Sequence, residues 1–234
     1  MESNKLKSIR EISKKIEADS LKFLKNKYVK VSQFHNGIYY DPDYISPVSK
    51  SAHNLNSKIL IILQDWASYD YLNTQNHTPE KIRSGINMNL PTNKRLQTYL
   101  LDFFGVNFYE TYAINLFPFI KFGNISAQIP ISDYLYSIEH FIKPFIEIFE
   151  ANLIIAIGST NYNILRRFKS LSKVDIKDSA SNIFEISNTI VLGVPHTGGM
   201  GTANAGGEDK VKKIWKSISN RYSHLVSGKS LPMI

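Results

Sequence analysis

Apolar residues follow two spacings along this chain. Four short runs are almost uninterrupted: Ile59–Leu63 within KILIILQDWAS, Tyr112–Leu116 (YAINL), Leu153–Ile157 (LIIAI) and Thr189–Val194. A shorter one covers Ile183–Ile186. Runs of this length, mostly rich in β-branched residues, predict strands buried on both faces. Between them apolar positions recur every three to five residues, which predicts amphipathic helices. The first covers residues 1–30, with Leu6, Ile9, Ile12, Ile16, Leu21, Leu24 and Tyr28 on its apolar side. Asn93–Phe104 follows, with Thr92 or Asn93 able to cap it and Gly105 able to stop it. Ser132–Phe149 is long enough that Pro144 should kink it. A helix also follows Gly158, and the last covers Glu208–Tyr222. Residues 31–57, Tyr69–Ser84, Gly85–Pro91 and the stretch TGGMGTANAGG read as loops. This alternation predicts a three-layer αβα sandwich around a mostly parallel sheet of four to five strands. It forms one domain over 1–234, with 1–57 as a helical and loop extension packed on it.

Three of the buried runs end in polar residues that can do chemistry: Asp65, Asn115 and His196. In a parallel sheet the carboxyl ends of the strands gather on one edge, where ligands bind. Each residue alone has an ordinary explanation. An aspartate after a strand caps a turn, an asparagine closes a loop, and a lone histidine is structural. An acid, an amide and an imidazole at three such ends point to a site. Gly158-Ser159-Thr160 adds free backbone N–H groups at a strand-to-helix turn, which suit an anion.

Composition narrows the classes. With 234 residues and 43% hydrophobic content the chain can bury a real core. It has no cysteine, so disulfides and thiolate metal sites are excluded. No HExxH or paired-histidine motif is present, so no metal and no cofactor are expected. No run approaches the roughly 20 apolar residues of a membrane span, and the charged N-terminus lacks a signal core. A cytoplasmic monomer that avoids membranes is the expectation. Lys and Arg number 28 against 20 Asp and Glu, a net charge of +8. That excess favours a polyanion partner, although a solvated lysine surface explains it equally well.

At these residues the sequence resembles the uracil-DNA glycosylase superfamily, in short islands over residues 58–216. KILIILQDWAS resembles the family's strand ending in Gly-Gln-Asp-Pro-Tyr. GINMNLPTNKRLQTYL resembles the segment carrying a stacking Phe before a helix. YAINLF resembles the strand ending in a pyrimidine-reading Asn. LIIAIGSTN resembles its strand with Gly-Ser, and VPHTGGM resembles its His-Pro-Ser-Pro-Leu loop. Order and rough spacing agree for all five. The resemblance implies DNA, single- or double-stranded, as partner, a flipped base, and hydrolysis of its N-glycosidic bond. Asp65 would orient water and stabilise the sugar cation. His196 would donate to the departing base. Gln64, Trp66, Ala67, Met88 and Asn115 would surround the base. Ser68, Ser159, Thr197, Gly198 and Gly199 would approach phosphates, and Met200 would wedge into the stack.

Several positions depart from the family pattern. Leu63 stands for its Gly, and Trp66-Ala67 for its Pro-Tyr. Met88 stands for the stacking Phe, and Thr197-Gly198 for its Pro-Ser. The family's Tyr blocks C5 of the pyrimidine, so Ala67 opens that side. The expected substrate is therefore a C5-substituted pyrimidine, thymine in a mismatch or a hydroxymethylated or glycosylated cytosine of viral DNA, with mismatched uracil as the unsubstituted counterpart of thymine. The purpose would be DNA repair or antiviral defence. Two other readings stay open: a DNA-binding relative that kept the fold without catalysis, and a nucleotide-binding α/β enzyme acting on small molecules.

Overall fold

The computed structural model describes residues 3–19 and 27–227. Its strands are β1 (Tyr28–Val29), β2 (Ile59–Leu63), β3 (Tyr112–Asn115), β4 (Ile120–Lys121), β5 (Leu153–Ile157), β6 (Phe184–Ile186) and β7 (Thr189–Val194). Its helices are α1 (Asn4–Ala18), α2 (Tyr69–Asn73), α3 (Pro79–Ser84), α4 (Pro91–Phe104), α5 (Ile131–Ser137), α6 (Lys143–Phe149), α7 (Ser159–Phe168), α8 (Gly199–Asn204), α9 (Glu208–Tyr222) and α10 (His224–Ser227). A five-stranded sheet runs in the order β3-β2-β5-β7-β6. Its β3, β2, β5 and β7 are parallel, and β6 returns antiparallel to β7. β1 and β4 form a separate antiparallel pair.

Alternation along each strand feeds two cores. Leu60, Ile62, Tyr112, Ile114, Ile154 and Val191 face one way, onto α1, α5, α6 and α7. Ile59, Ile61, Ala113, Ile155, Leu192 and Val194 face the other, onto α4 and α9. There Tyr99 of α4 meets Trp215 of α9 with ring centroids 5.4 Å apart. The strands are buried on both sides, so they read as continuous apolar runs. The expected α/β architecture with helices on both faces of a mostly parallel sheet is present.

Local differences have local causes. The N-terminal helix stops at Ala18, and Tyr28, expected on that helix, pairs in β1; Leu21 and Leu24 lie outside the described residues. Neither Thr92 nor Asn93 caps α4. The cap position is Leu90, because Pro91 fits the first helical turn with its fixed φ and missing N–H. Gly105 ends α4 at φ 67, as its left-handed preference allows. The Ser132–Phe149 helix is broken into α5, a π-turn over Ile138–Ile142, and α6. Pro144 has no N–H for the His140 carbonyl. The amide of Lys143 reaches back to Ile138, and Lys15 Nζ donates to His140 O at 3.3 Å. Residues 69–84 hold α2 and α3, where a loop was expected. Ser68 and Thr78 cap their first turns. Part of the glycine-rich stretch is the short helix α8.

Candidate functional site

The carboxyl ends of β2, β5 and β7 open onto one cleft. Two cavities of about 1010 and 740 Å³ make it up. They share Gln64, Ser159, Thr160 and Lys173 in their walls, which makes them continuous. His196 and Met200 line the smaller part. Lys121, Tyr134 and Arg167 line the larger.

Asp65 lies two residues beyond β2. The amides of Leu116 and Phe117 bind the carbonyls of Leu63 and Gln64, at 2.7 and 3.0 Å, and fix this exit. Asp65 Oδ2 accepts from Lys121 Nζ at 2.9 Å, and both side chains are largely buried. Lys121 is itself held by pairing with Tyr28 and by a bridge to Ser68. Burial pushes the Asp65 carboxyl above the usual carboxylate range, and the Lys121 charge and hydrogen bond pull it partly back. Gln64 Nε2 donates to the Tyr134 hydroxyl at 3.2 Å. Burial, and secondarily the Asp65 charge, raises Tyr134, so this hydroxyl stays protonated.

His196 follows β7 through Pro195. The Gly198 N–H donates to its Nδ1 at 2.9 Å. A backbone N–H can only donate, so the neutral ring carries its proton on Nε2. Nε2 has no partner among the described residues and is free to donate. The ring is open to solvent, yet the protein packed around it disfavours the charged form and lowers its pKa. Glycines make this packing possible. A Cβ at Gly198 would lie 2.9 Å from Nδ1, and one at Gly201 would lie 2.4 Å from the His196 carbonyl oxygen.

Asn115 ends β3 opposite Leu63 and is only 4% exposed. Its carboxamide makes no hydrogen bond among the described residues. It lines neither cavity.

The other expected residues divide. Gln64, Ser159, His196 and Met200 line the cleft, and Asp65 reaches it through Lys121. Met200 is 84% exposed, as a wedge requires, and Gly199 beside it faces open space. Two hydroxyls expected at phosphates are committed inside the protein. Ser68 is fully buried and caps α2 by accepting from the Tyr71 N–H. Thr197 is buried and donates to the Thr92 carbonyl. The Gly198 N–H is used by His196. Trp66, expected beside the base, packs with Val29, Val31, Phe34 and Ile120. Ala67 is half-buried and Met88 part-exposed, and neither lines the cleft.

Sequence reasoning passed over Lys121, Tyr134, Arg167 and Lys173, whereas Thr160 lies in the turn it marked as suited to an anion. Lys121 left one trace, a lone charge inside the apolar stretch FPFIKF.

No protein-family model matches the chain, and no curated protein shows significant similarity to it. Among the described residues no group of three or more His, Asp or Glu side chains could hold a metal ion, and no helix is long and apolar enough to cross a membrane.

Proposed function

We propose that this protein is a DNA glycosylase that extrudes a C5-substituted pyrimidine and hydrolyses its N-glycosidic bond. The observation that carries the reading is a cleft whose wall holds His196, a neutral Nε2–H donor, and Lys121, which in turn holds the carboxylate of Asp65 behind that wall. Water attacks C1′ and the C1′–N1 bond breaks. The bonding electrons leave with the base, so negative charge collects on its O2. The His196 Nε2–H stabilises that oxygen. A neutral donor suits this task because it is uncharged in the free enzyme and needs no proton transfer. Asp65 orients the water, accepts its proton and stabilises the positive sugar. The products are a free base and an abasic site. Asn115 ends the neighbouring strand outside the cleft wall, and a base that reaches it meets both a donor and an acceptor for its pyrimidine edge.

The volume of the cleft supports a bulky substituent. A cavity of about 1010 Å³ matches a drug-sized ligand and exceeds what a bare pyrimidine fills. Its wall carries Gln128, Thr160, Asn163 and Arg167, groups that can hydrogen-bond hydroxyls. A hydroxymethylated or glycosylated cytosine, as in modified viral DNA, fits that chemistry. The net charge of +8 favours DNA as the partner.

The test is incubation of the full chain with duplexes carrying uracil, mismatched thymine, 5-hydroxymethylcytosine or its glucosylated form. Alkali then reveals abasic sites. Excision from a substituted pyrimidine, abolished in Asp65→Asn, is the expected result. No abasic site on any duplex rejects the reading, and strong uracil excision with none on the larger bases rejects the substrate class. DNA binding without excision, unchanged in Asp65→Asn and His196→Ala, would identify a non-catalytic relative.

A further inference from the structure

We infer that Lys121 is a positioning residue that sets the charge and aim of the Asp65 carboxylate. The inference rests on the proposed glycosylase reading for its catalytic consequence, and on geometry alone for its electrostatic one. Lys121 Nζ donates to Asp65 Oδ2 at 2.9 Å, with the lysine side chain 9% exposed and the aspartate 14%. No other acceptor for that ammonium lies among the described residues, so the contact is directed at one oxygen. Oδ1 stays free for a water. Lys121 also forms part of the cleft wall beside Gln64 and Tyr134. It therefore touches both the carboxylate and the space a substrate enters.

The pair answers a problem that burial creates. A carboxylate taken out of water prefers its proton, and a protonated Asp65 can neither accept a proton from water nor oppose a positive sugar. Two ionisable groups face Asp65. Tyr134 on α5 is neutral, raised by burial and by Asp65 itself. Lys121 on β4 is the other, and its charge favours the anion. Its own placement is fixed by backbone pairing with Tyr28 and the bridge to Ser68, so the ammonium cannot easily be replaced by a neighbour. The same bridge explains why Ser68 is buried as a cap.

The experiment compares wild type with Lys121→Gln, which keeps a hydrogen-bond donor without the charge, and with Lys121→Arg, which keeps the charge. The Asp65 carboxyl is followed by ¹³C NMR against pH in each full-length protein. An opposite charge at this range moves a carboxyl by about 1–3 pH units. The Lys121→Gln protein should therefore titrate Asp65 higher by about one unit or more, and Lys121→Arg should titrate it close to wild type. An unmoved titration in folded Lys121→Gln overturns the inference whether or not the protein excises a base. Base release on the best duplex supplies the second readout. The acid limb of its pH profile should move upward with the NMR titration in Lys121→Gln and return in Lys121→Arg. Equal loss of activity at every pH in both variants would mean only a structural role and would also overturn it. Absence of base release in wild type would reject the glycosylase reading and leave the NMR comparison standing.

Discussion

Substituting Gly198 by alanine isolates the placement of His196 from everything else at the site. Gly198 has φ −77° and ψ 163°, ordinary extended backbone, so alanine brings no conformational strain. What it brings is a methyl group 2.9 Å from His196 Nδ1, 3.0 Å from Cε1 and 3.2 Å from Thr92 Oγ1. Carbon atoms sit comfortably at about 3.5–4.0 Å from such neighbours. The ring must therefore retreat by roughly 0.5–1 Å, since Thr92 and the buried Thr197 block the methyl from moving the other way. The same retreat stretches the 2.9 Å bond from the Gly198 N–H that fixes the tautomer. A misplacement of about 1 Å costs on the order of 10²-fold in rate, whereas overpacking costs about 1–3 kcal/mol of stability. Gly198→Ala should thus lose about a hundredfold in base release while remaining folded. Single-turnover excision, thermal unfolding and the ¹⁵N shifts of the His196 ring measure the three quantities. Wild-type turnover with unmoved ring shifts would refute both the cage around His196 and its role.

Other expectations follow from the same geometry. Burial lowers the His196 pKa below its ordinary 6.5, so the unfolded chain takes up this proton first as the solution is acidified. Stability should fall as pH drops below about 6.5 and level off beneath the folded-state pKa; urea titrations between pH 5 and 7.5 should show this slope diminished in His196→Gln, and an unchanged slope would place its cause elsewhere. Asn115→Leu removes a carboxamide that makes no hydrogen bond among the described residues and keeps a similar volume, so it should change unfolding free energy by less than about 1.5 kcal/mol. Its base release should fall at least roughly tenfold, the equivalent of one lost hydrogen bond; intact excision would remove Asn115 from the base site. Met200→Ala should change stability by less than about 0.5 kcal/mol, because the side chain is 84% exposed. Excision from duplex should suffer more than excision from single-stranded DNA, since only the duplex needs unstacking; equal losses would exclude the wedge.

The framework was legible because burial on both faces writes itself into sequence. β5 spans Leu153–Ile157 and β7 Thr189–Val194, the bounds that their apolar runs suggest. Helix α9 covers Glu208–Tyr222, again where its apolar spacing puts it. Local chemistry was read less well where two rules compete. Thr92 and Asn93 are better capping residues than Leu90, but Pro91 decides the first turn. In GGMGTAN glycine signals a loop, yet Gly198 and Gly201 are required by the approach of His196, and the segment from Gly199 still turns as α8. The three strand ends could be named from sequence because each follows a buried run. Lys121 could not, because its importance arises from a two-stranded pairing 56 positions away from Asp65. Arg167 and Lys173 enter the cleft from α7 and the segment after it, and exposed basic residues look alike in a sequence whether they line a cavity or face solvent.

Polar side chains gather at the sheet's carboxyl edge above a sheet that is apolar throughout, and that contrast is itself an argument for the site. The sheet beneath obeys every local rule. Its strands are paired, its apolar side chains interdigitate, and helices cover both faces. At the edge, Asn115 places a carboxamide that makes no hydrogen bond among the described residues, Asp65 holds a desolvated carboxyl, and His196 keeps a solvent-open Nε2–H over the glycines that admit its ring. The desolvated Asp65 carboxyl and its lysine lower stability relative to a well-packed apolar pair. A sheet selected for stability alone would lose them, because a leucine or an exposed serine at these positions is easily reached by mutation. Local strain of this kind persists where the strained groups are used. The two fully buried cores supply the stability that offsets it. Replacing Asp65 and Lys121 together by apolar residues of similar size should therefore give a protein at least as stable as wild type that excises no base, and a double variant less stable than wild type would break the link between this edge and function.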